Sequence, residues 1–210
     1  IGLWRCEIET YEFKHRISIK NNSRLVYLIR EIGIVVVGVL IAVPINNYKE
    51  KSDNEAYIEK TLLAIDNEIN SNKTAQDSVL NRHMEIYDFF ERDSMDKEQP
   101  LGETLYSLGG FQVAPVKNIS LRFFVANKAE MLDFKLISYL LEIEQITNIL
   151  SAKIDRLADF AYERVNDRGA DTRVRFTYLL MDIIDSESNL LKAYADFLEG
   201  NEAYLERKWK

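Results

Sequence analysis

Cysteine, histidine, glycine, proline and net positive charge are all scarce in this chain of 210 residues. Cys6 stands alone, which excludes an internal disulfide and every metal site built on several cysteines. His15 and His83 are the only imidazoles, so a carboxylate-bridged di-iron bundle, which needs Glu-x-x-His pairs on two helices, cannot be assembled. The residue three positions before His83 is Leu80, not Glu. Zinc-hydrolase motifs and a glycine-rich phosphate loop are also missing. With 27 Lys and Arg against 34 Asp and Glu, the formal net charge is -7. A chain of that sign repels phosphate backbones, so nucleic acid is not an expected partner.

What is present is helix-forming. The chain is 47% hydrophobic and has only 8 Gly and 3 Pro, while Leu, Ile, Glu, Asp, Lys and Ala fill long stretches. That composition predicts an all-α protein with enough apolar material for a core.

The longest apolar run lies between Ile32 and Ile45, where no residue is charged. Leu25, Val26, Leu28 and Ile29 extend it, interrupted by Arg30 and Glu31, whose side chains can reach toward headgroups from near a helix end. Tyr27 and Tyr48 lie 21 positions apart, roughly 31 Å along a helix and close to the roughly 30 Å of a bilayer's hydrocarbon core. Both fit the aromatic belts at the two interfaces. The fourteen aliphatic residues from Leu25 to Ile45, at about -0.4 kcal/mol each, favour insertion by on the order of 6 kcal/mol. The alternative is the buried core helix of a soluble domain, which seldom lacks a polar face over such a length. No small-x-small cleavage pattern follows the run, so the segment reads as an uncleaved signal anchor. Gly38 and Ala42 are spaced for close approach of a second membrane helix. Pro44 should kink or end the helix.

Charge sets the expected orientation. Residues 1–45 hold six basic side chains against four acidic ones, net +2, which leaves -9 for the remainder. Lys14, Arg16, Lys20, Arg24 and Arg30 precede the apolar run, and only Lys49, Lys51 and Lys60 follow it closely. The positive-inside rule then predicts a cytoplasmic N-terminus. The chain should divide into a short cytoplasmic tail over 1–24, a transmembrane anchor over 25–48 and a periplasmic helical domain over 49–210.

Glu31-Ile32, the stretch Val36-Val37-Gly38-Val39-Leu40-Ile41-Ala42 and Ile45-Asn46-Asn47-Tyr48, followed by a charged helix from near Lys49, resemble the anchor of an uncharacterised family. It consists of single-pass membrane-anchored helical proteins carrying a domain of unknown function, found chiefly in Bacteroidota. Members usually carry Gln where this chain has Pro44, and Trp where it has Tyr48. The signature covers roughly a quarter of the chain, with a looser likeness in the helices beyond. The resemblance implies a location in the bacterial inner membrane and implies no activity.

Beyond the anchor, Ser52 and Glu55 are spaced as a capping box. Ile58, Leu62, Ile65, Ile69, Asn72, Gln76, Val79 or Leu80, His83, Ile86 or Tyr87, and Phe90 then recur at intervals of four and three, one stripe of a helix. Asn72, Gln76 and His83 interrupt it, as would suit a loosely packed middle or the register device of a coiled coil. Pro100, Gly102, Gly109, Gly110 and Pro115 mark 97–117 as the main connection, with Leu101, Leu105, Leu108 and Phe111 apolar enough to pack as a short turn of helix. Helical periodicity resumes at Leu121, Phe124 and Val125 and runs through Leu132, Leu136, Leu140, Ile143, Leu150, Ile154 and Leu157 to Val165. A last helix begins near Thr172, places Val174, Tyr178, Met181, Ile184, Leu191, Tyr194 and Leu198 on one face, and meets Gly200 as a C-terminal cap. About three long helices should form an elongated up-and-down bundle.

The carboxylate pairs Glu142 with Glu144 and Asp182 with Asp185 suit solvated helix faces better than acid and base catalysis. His83 reads as a polar residue tolerated in a bundle seam. No catalytic, cofactor-binding or metal residues are therefore expected. The expected role is a structural or interaction module of the cell envelope, with an extracytoplasmic ligand-sensing bundle as the alternative. Its partners would be the lipid bilayer and either a second copy of the chain or an envelope protein.

Overall fold

Long windows free of Gly and Pro give this chain its helices. The computed structural model describes residues 22–92, 99–128 and 132–208. They form α1 (Asn22–Arg92), α2 (Leu101–Ser107), α3 (Ile119–Lys128), α4 (Phe134–Glu163) and α5 (Ala170–Lys208), with no strand among the described residues. The protein is all-helical. Two compact units appear, Ile1–Asn54 and Glu55–Lys210. The tail over 1–21, with Cys6, His15, Lys14, Arg16 and Lys20, lies outside the described residues.

In the first unit, α1 contains an 18-residue window of mean hydropathy 2.4, none of it buried. All fourteen aliphatic residues from Leu25 to Ile45 are exposed, as are Tyr27 and Tyr48. A soluble core helix would have its apolar side covered by its own domain, and this window has no such cover. This helix is long and apolar enough to cross a membrane. Gly33 and Gly38 face open space. Pro44 lies inside the helix, which does not end there as one of the two sequence expectations had it. Proline removes one N–H, the partner of the Leu40 carbonyl, and the unbroken backbone bonds of the turns on both sides carry the helix across that single loss. Ser52 and Glu55 are likewise internal to α1. The preceding turn is already helical, so the amide groups that a capping box would satisfy are bonded within the helix, and the expected start at Ser52 is corrected.

In the second unit the α1 stripe is buried at every position from Ile58 to Phe90, with Val79 and Ile86 taking the two ambiguous places. Leu62, Ile65 and Ile86 are fully covered, each contributing about 1.5–3 kcal/mol of apolar burial. Three pairs fix the direction of α5 against this stretch: Asn201 donates to Asp66, Glu187 meets His83, and the rings of Phe176 and Phe90 lie 5.0 Å apart. As the number rises on one helix it falls on the other, so the two run antiparallel. α4 and α5 are antiparallel by the same test, since Lys153 bonds Asp182 and Tyr139 abuts Gly200. α1 and α4 therefore run in the same direction. The return leg between them begins as a non-helical strap over 111–118 and continues through α3.

The connection is more structured than a loop. Leu101 in α2 is fully buried, and the N–H groups of Leu101 and Gly102 donate to the carbonyls of Asp167 and Val165 in the α4–α5 turn. A Cβ on Gly102 would overlap a Val165 methyl and lie 3.0 Å from the Val165 carbonyl oxygen, so only glycine permits this approach. Gly109 and Gly110 take φ of 86° and 79°, a conformation that releases the chain from α2 into the strap.

Three expectations about helix limits are corrected. The helix expected from Leu121 to Val165 is two helices, because Leu132 and Asp133 are not helical and the Asp133 carboxylate accepts from the Lys135 N–H at 2.8 Å to start α4. The side chain of Val125 lies outside the described ones. Val165 falls in the turn after α4 and is exposed. Gly200 does not cap α5, which continues to Lys208. A Cβ there would meet the Tyr139 ring at 2.7 Å, so glycine at 200 serves helix contact and not helix ending. On α5 the expected Ile184 and Tyr194 are buried and Leu191 and Leu198 pack against the core, whereas Val174, Tyr178 and Met181 are exposed and Phe176, Leu180, Ile183, Leu190 and Phe197 are covered as well.

Ordinarily Gly→Ala inside a helix stabilises by about 1 kcal/mol. Here the overpacking against Tyr139 outweighs that gain, and Gly200→Ala should lower the unfolding free energy by about 1–2 kcal/mol in denaturant titrations. The α4–α5 turn supplies a pH test. The Gly169 N–H and then the Thr172 hydroxyl, at 2.8 and 2.7 Å, hold the Asp167 carboxyl below the usual carboxylate range. A lowered folded-state value stabilises the fold above the unfolded value of about 3.9, and that stabilisation disappears as pH falls through the folded value. Asp167→Ala should thus lower the melting temperature at pH 7, and the difference from the native chain should shrink steadily as the pH is taken below about 4.

Candidate functional site

An extended strap packed on helices has backbone N–H and C=O groups with no ladder to join, and burial makes an unpaired group costly. The polar interruptions of the α1 stripe meet that demand. Asn72 donates its Nδ2 to the Lys117 carbonyl and accepts the Lys117 N–H on Oδ1 at 2.9 Å. One turn before Asn72, the Glu68 carboxylate accepts the N–H and hydroxyl of Ser120 at 3.1 Å, at the N-terminus of α3 where negative charge is favoured. Toward the other end, His83 Nε2 lies 2.9 Å from the Gln112 carbonyl, and the imidazole stacks on Phe111 at 4.2 Å.

The geometry at His83 fixes a proton count. A backbone carbonyl only accepts, so Nε2 must carry hydrogen. Nδ1 lies 3.0 Å from Glu187 Oε2, and both side chains are essentially without solvent contact. One further proton must lie between them, whether as imidazolium and carboxylate or as imidazole and carboxylic acid. Either arrangement leaves the pair neutral as a whole, which is what its burial requires.

Between Asn72 and His83 on the same stripe sits Gln76. It is 1% exposed, and its Nε2 has no hydrogen-bond partner. Gln76 lines a cleft of about 310 Å³ bounded by the strap at Val113, Ala114 and Val116, by α4 at Thr147, Leu150, Ser151, Ile154 and Asp155, and by Glu187 of α5. The cleft thus combines an apolar floor, a buried amide donor, a buried carboxylate and an exposed carboxylate at the mouth. No Lys or Arg lines it. One helical turn away, a cavity of about 10 Å³ adjoins Tyr194. Burial pushes the Tyr194 phenol up to about 12, with Thr147 and Asn72 offsetting part of the shift. Neither side chain meets its hydroxyl in hydrogen-bonding geometry.

None of the residues picked from the sequence as membrane anchor belongs to this cleft. Tyr27, Arg30, Glu31, Gly38, Ala42, Pro44 and Tyr48 are all in α1 within the first unit. Asp182 is an exposed partner of Lys153. Among the described residues no three of His, Cys, Asp and Glu gather as metal ligands. Glu187 escaped the sequence reading, although one signal was there. It falls between Ile183 and Leu190 on the covered face of α5, where a lone carboxylate requires a partner of its own. Comparison with protein-family models, with curated proteins and with solved structures finds no match to this chain.

The pairing can be measured. His83→Leu leaves Glu187 buried without its partner and should cost about 3–5 kcal/mol of unfolding free energy. Replacing both, as His83→Leu with Glu187→Leu, should recover the part of that loss due to the stranded carboxylate and leave about 1–3 kcal/mol for the unpaired Gln112 carbonyl. A double variant as unstable as the single one would contradict the assignment.

Proposed function

We propose that the protein is a single-pass membrane-anchored module of the bacterial cell envelope, without catalytic activity, which holds a helical bundle at the inner membrane and presents its faces to partners there. The observation carrying this reading is the fully exposed apolar window of α1, 25–45, which has no polar face and no covering layer. Left in water, such a surface drives association. Placed in lipid, it becomes an anchor whose backbone hydrogen bonds are satisfied internally. Arg30 and Glu31 then lie near one interface and Tyr48 at the other. The basic bias before the apolar run supports a cytoplasmic N-terminus and a periplasmic bundle. The likeness of the anchor to the Bacteroidota family supports the same location. Open Gly38, with Ala42 one turn on, suits a second copy of the chain as one partner.

The second reading, an extracytoplasmic ligand-sensing bundle, is favoured by a separate observation, the unpartnered buried amide of Gln76 in the cleft.

Anchoring is tested by fractionation. The full chain should sediment with membranes, resist alkaline carbonate and require detergent for release, whereas deletion of 25–45 should move it to the supernatant. A full-length chain that stays soluble and monodisperse without detergent refutes the anchor. Protease added to intact spheroplasts should cut the segment after Asn47, and protection of that segment reverses the orientation.

A further inference from the structure

Two of the three polar side chains along the middle of the α1 stripe are consumed by the strap. Asn72 holds Lys117 and His83 holds Gln112. Gln76 lies between them, equally buried, and its Nε2 donates to nothing. A buried donor without an acceptor carries the full cost of desolvation, so its persistence inside a cleft open to small molecules indicates an acceptor supplied from outside. The neighbouring groups indicate what else that molecule carries. Glu187 is buried and already taken up by His83 in a pair that is neutral as a whole, which leaves Asp155, exposed at the mouth and in no ion pair among the described residues, as the free negative charge. No basic side chain lines the cleft, which disfavours an anion and favours a cation. Leu150 and Ile154 give the floor an apolar stretch, and about 310 Å³ lies at the small end of ligand pockets, which begin near 300 Å³.

We infer that this cleft binds a small organic cation bearing a carbonyl group beside its amine and a short apolar body, the chemistry of an α-amino amide. Gln76 Nε2 donates to the carbonyl, the ammonium lies against the Asp155 carboxylate at the mouth, and the apolar body rests on Leu150 and Ile154. This assignment rests on the ligand-sensing reading and gives it a substrate class.

The test uses the full chain in nanodiscs of neutral lipid, with L-leucinamide as probe and calorimetric titration and thermal unfolding as readouts. L-leucinamide should bind saturably and raise the melting temperature. L-leucinol, which lacks the carbonyl, and N-acetyl-L-leucinamide, which lacks the ammonium, should each bind about tenfold more weakly or worse. Asp155→Asn alters an exposed residue and should keep the fold while weakening the probe about tenfold. Gln76→Leu should abolish the preference for L-leucinamide over L-leucinol. If N-acetyl-L-leucinamide binds as tightly as L-leucinamide, or Asp155→Asn leaves affinity unchanged, the cation assignment is overturned while the cleft remains a binding site. If none of the three compounds binds saturably, the amine-amide class is overturned, and the ligand-sensing reading falls as well only if a panel of chemically diverse small metabolites also leaves the melting temperature unchanged.

Discussion

The bundle depends on how an extended strap can be packed against helices without orphaning its backbone. A helix satisfies its own peptide groups, but residues 111–118 do not form one. Their carbonyls and amides must find side chains, and α1 supplies them at helical spacing. Asn72 pairs with both polar groups of Lys117, His83 reaches the Gln112 carbonyl, and Glu68 receives Ser120 where α3 begins. With the strap fixed, α4 can start again at the far end of the bundle and run parallel to α1. Without it, an up-and-down arrangement of three helices would place α4 the other way round.

One helix carries two surface patterns. From Ile32 to Ile45 α1 is apolar on every side, and from Ile58 to Phe90 it is apolar along a single seam. The first pattern suits surroundings that are nonpolar in every direction, and the second suits a helix with protein on one side and water on the other. The change takes place without a break in the helix, across Pro44 and Ser52.

Much of this was legible in the sequence because hydrophobic spacing is a direct record of which face is covered. The α1 seam was readable residue by residue, including its polar members, and so was the helical nature of the chain. What those polar members bond to was not readable, since Lys117 and Gln112 contribute only backbone, which has no residue-type signature. The break before α4 was hidden because Leu121 to Leu157 keeps its period across a gap that Asp133 caps. Gly200 misled for a related reason. Glycine marks both the end of a helix and the close approach of a neighbour, and only the position of the Tyr139 ring tells which. On α5 the apolar residues are numerous enough to draw more than one face, and Glu187 obscured the one that is covered. Gln76 was visible as an interruption, but its lack of a partner is a property of the packed structure alone.

The clasp between α2 and the α4–α5 turn has a kinetic meaning. α2 has seven residues, and its N-cap, Pro100, provides no side-chain bond. Such a helix is too short to nucleate alone. Its first two amides instead close onto Asp167 and Val165, more than sixty positions further along the chain. Two distant stretches must then order and open as one cooperative element, so the bundle's loop end should show the slow amide exchange of a core and not the fraying of a terminus.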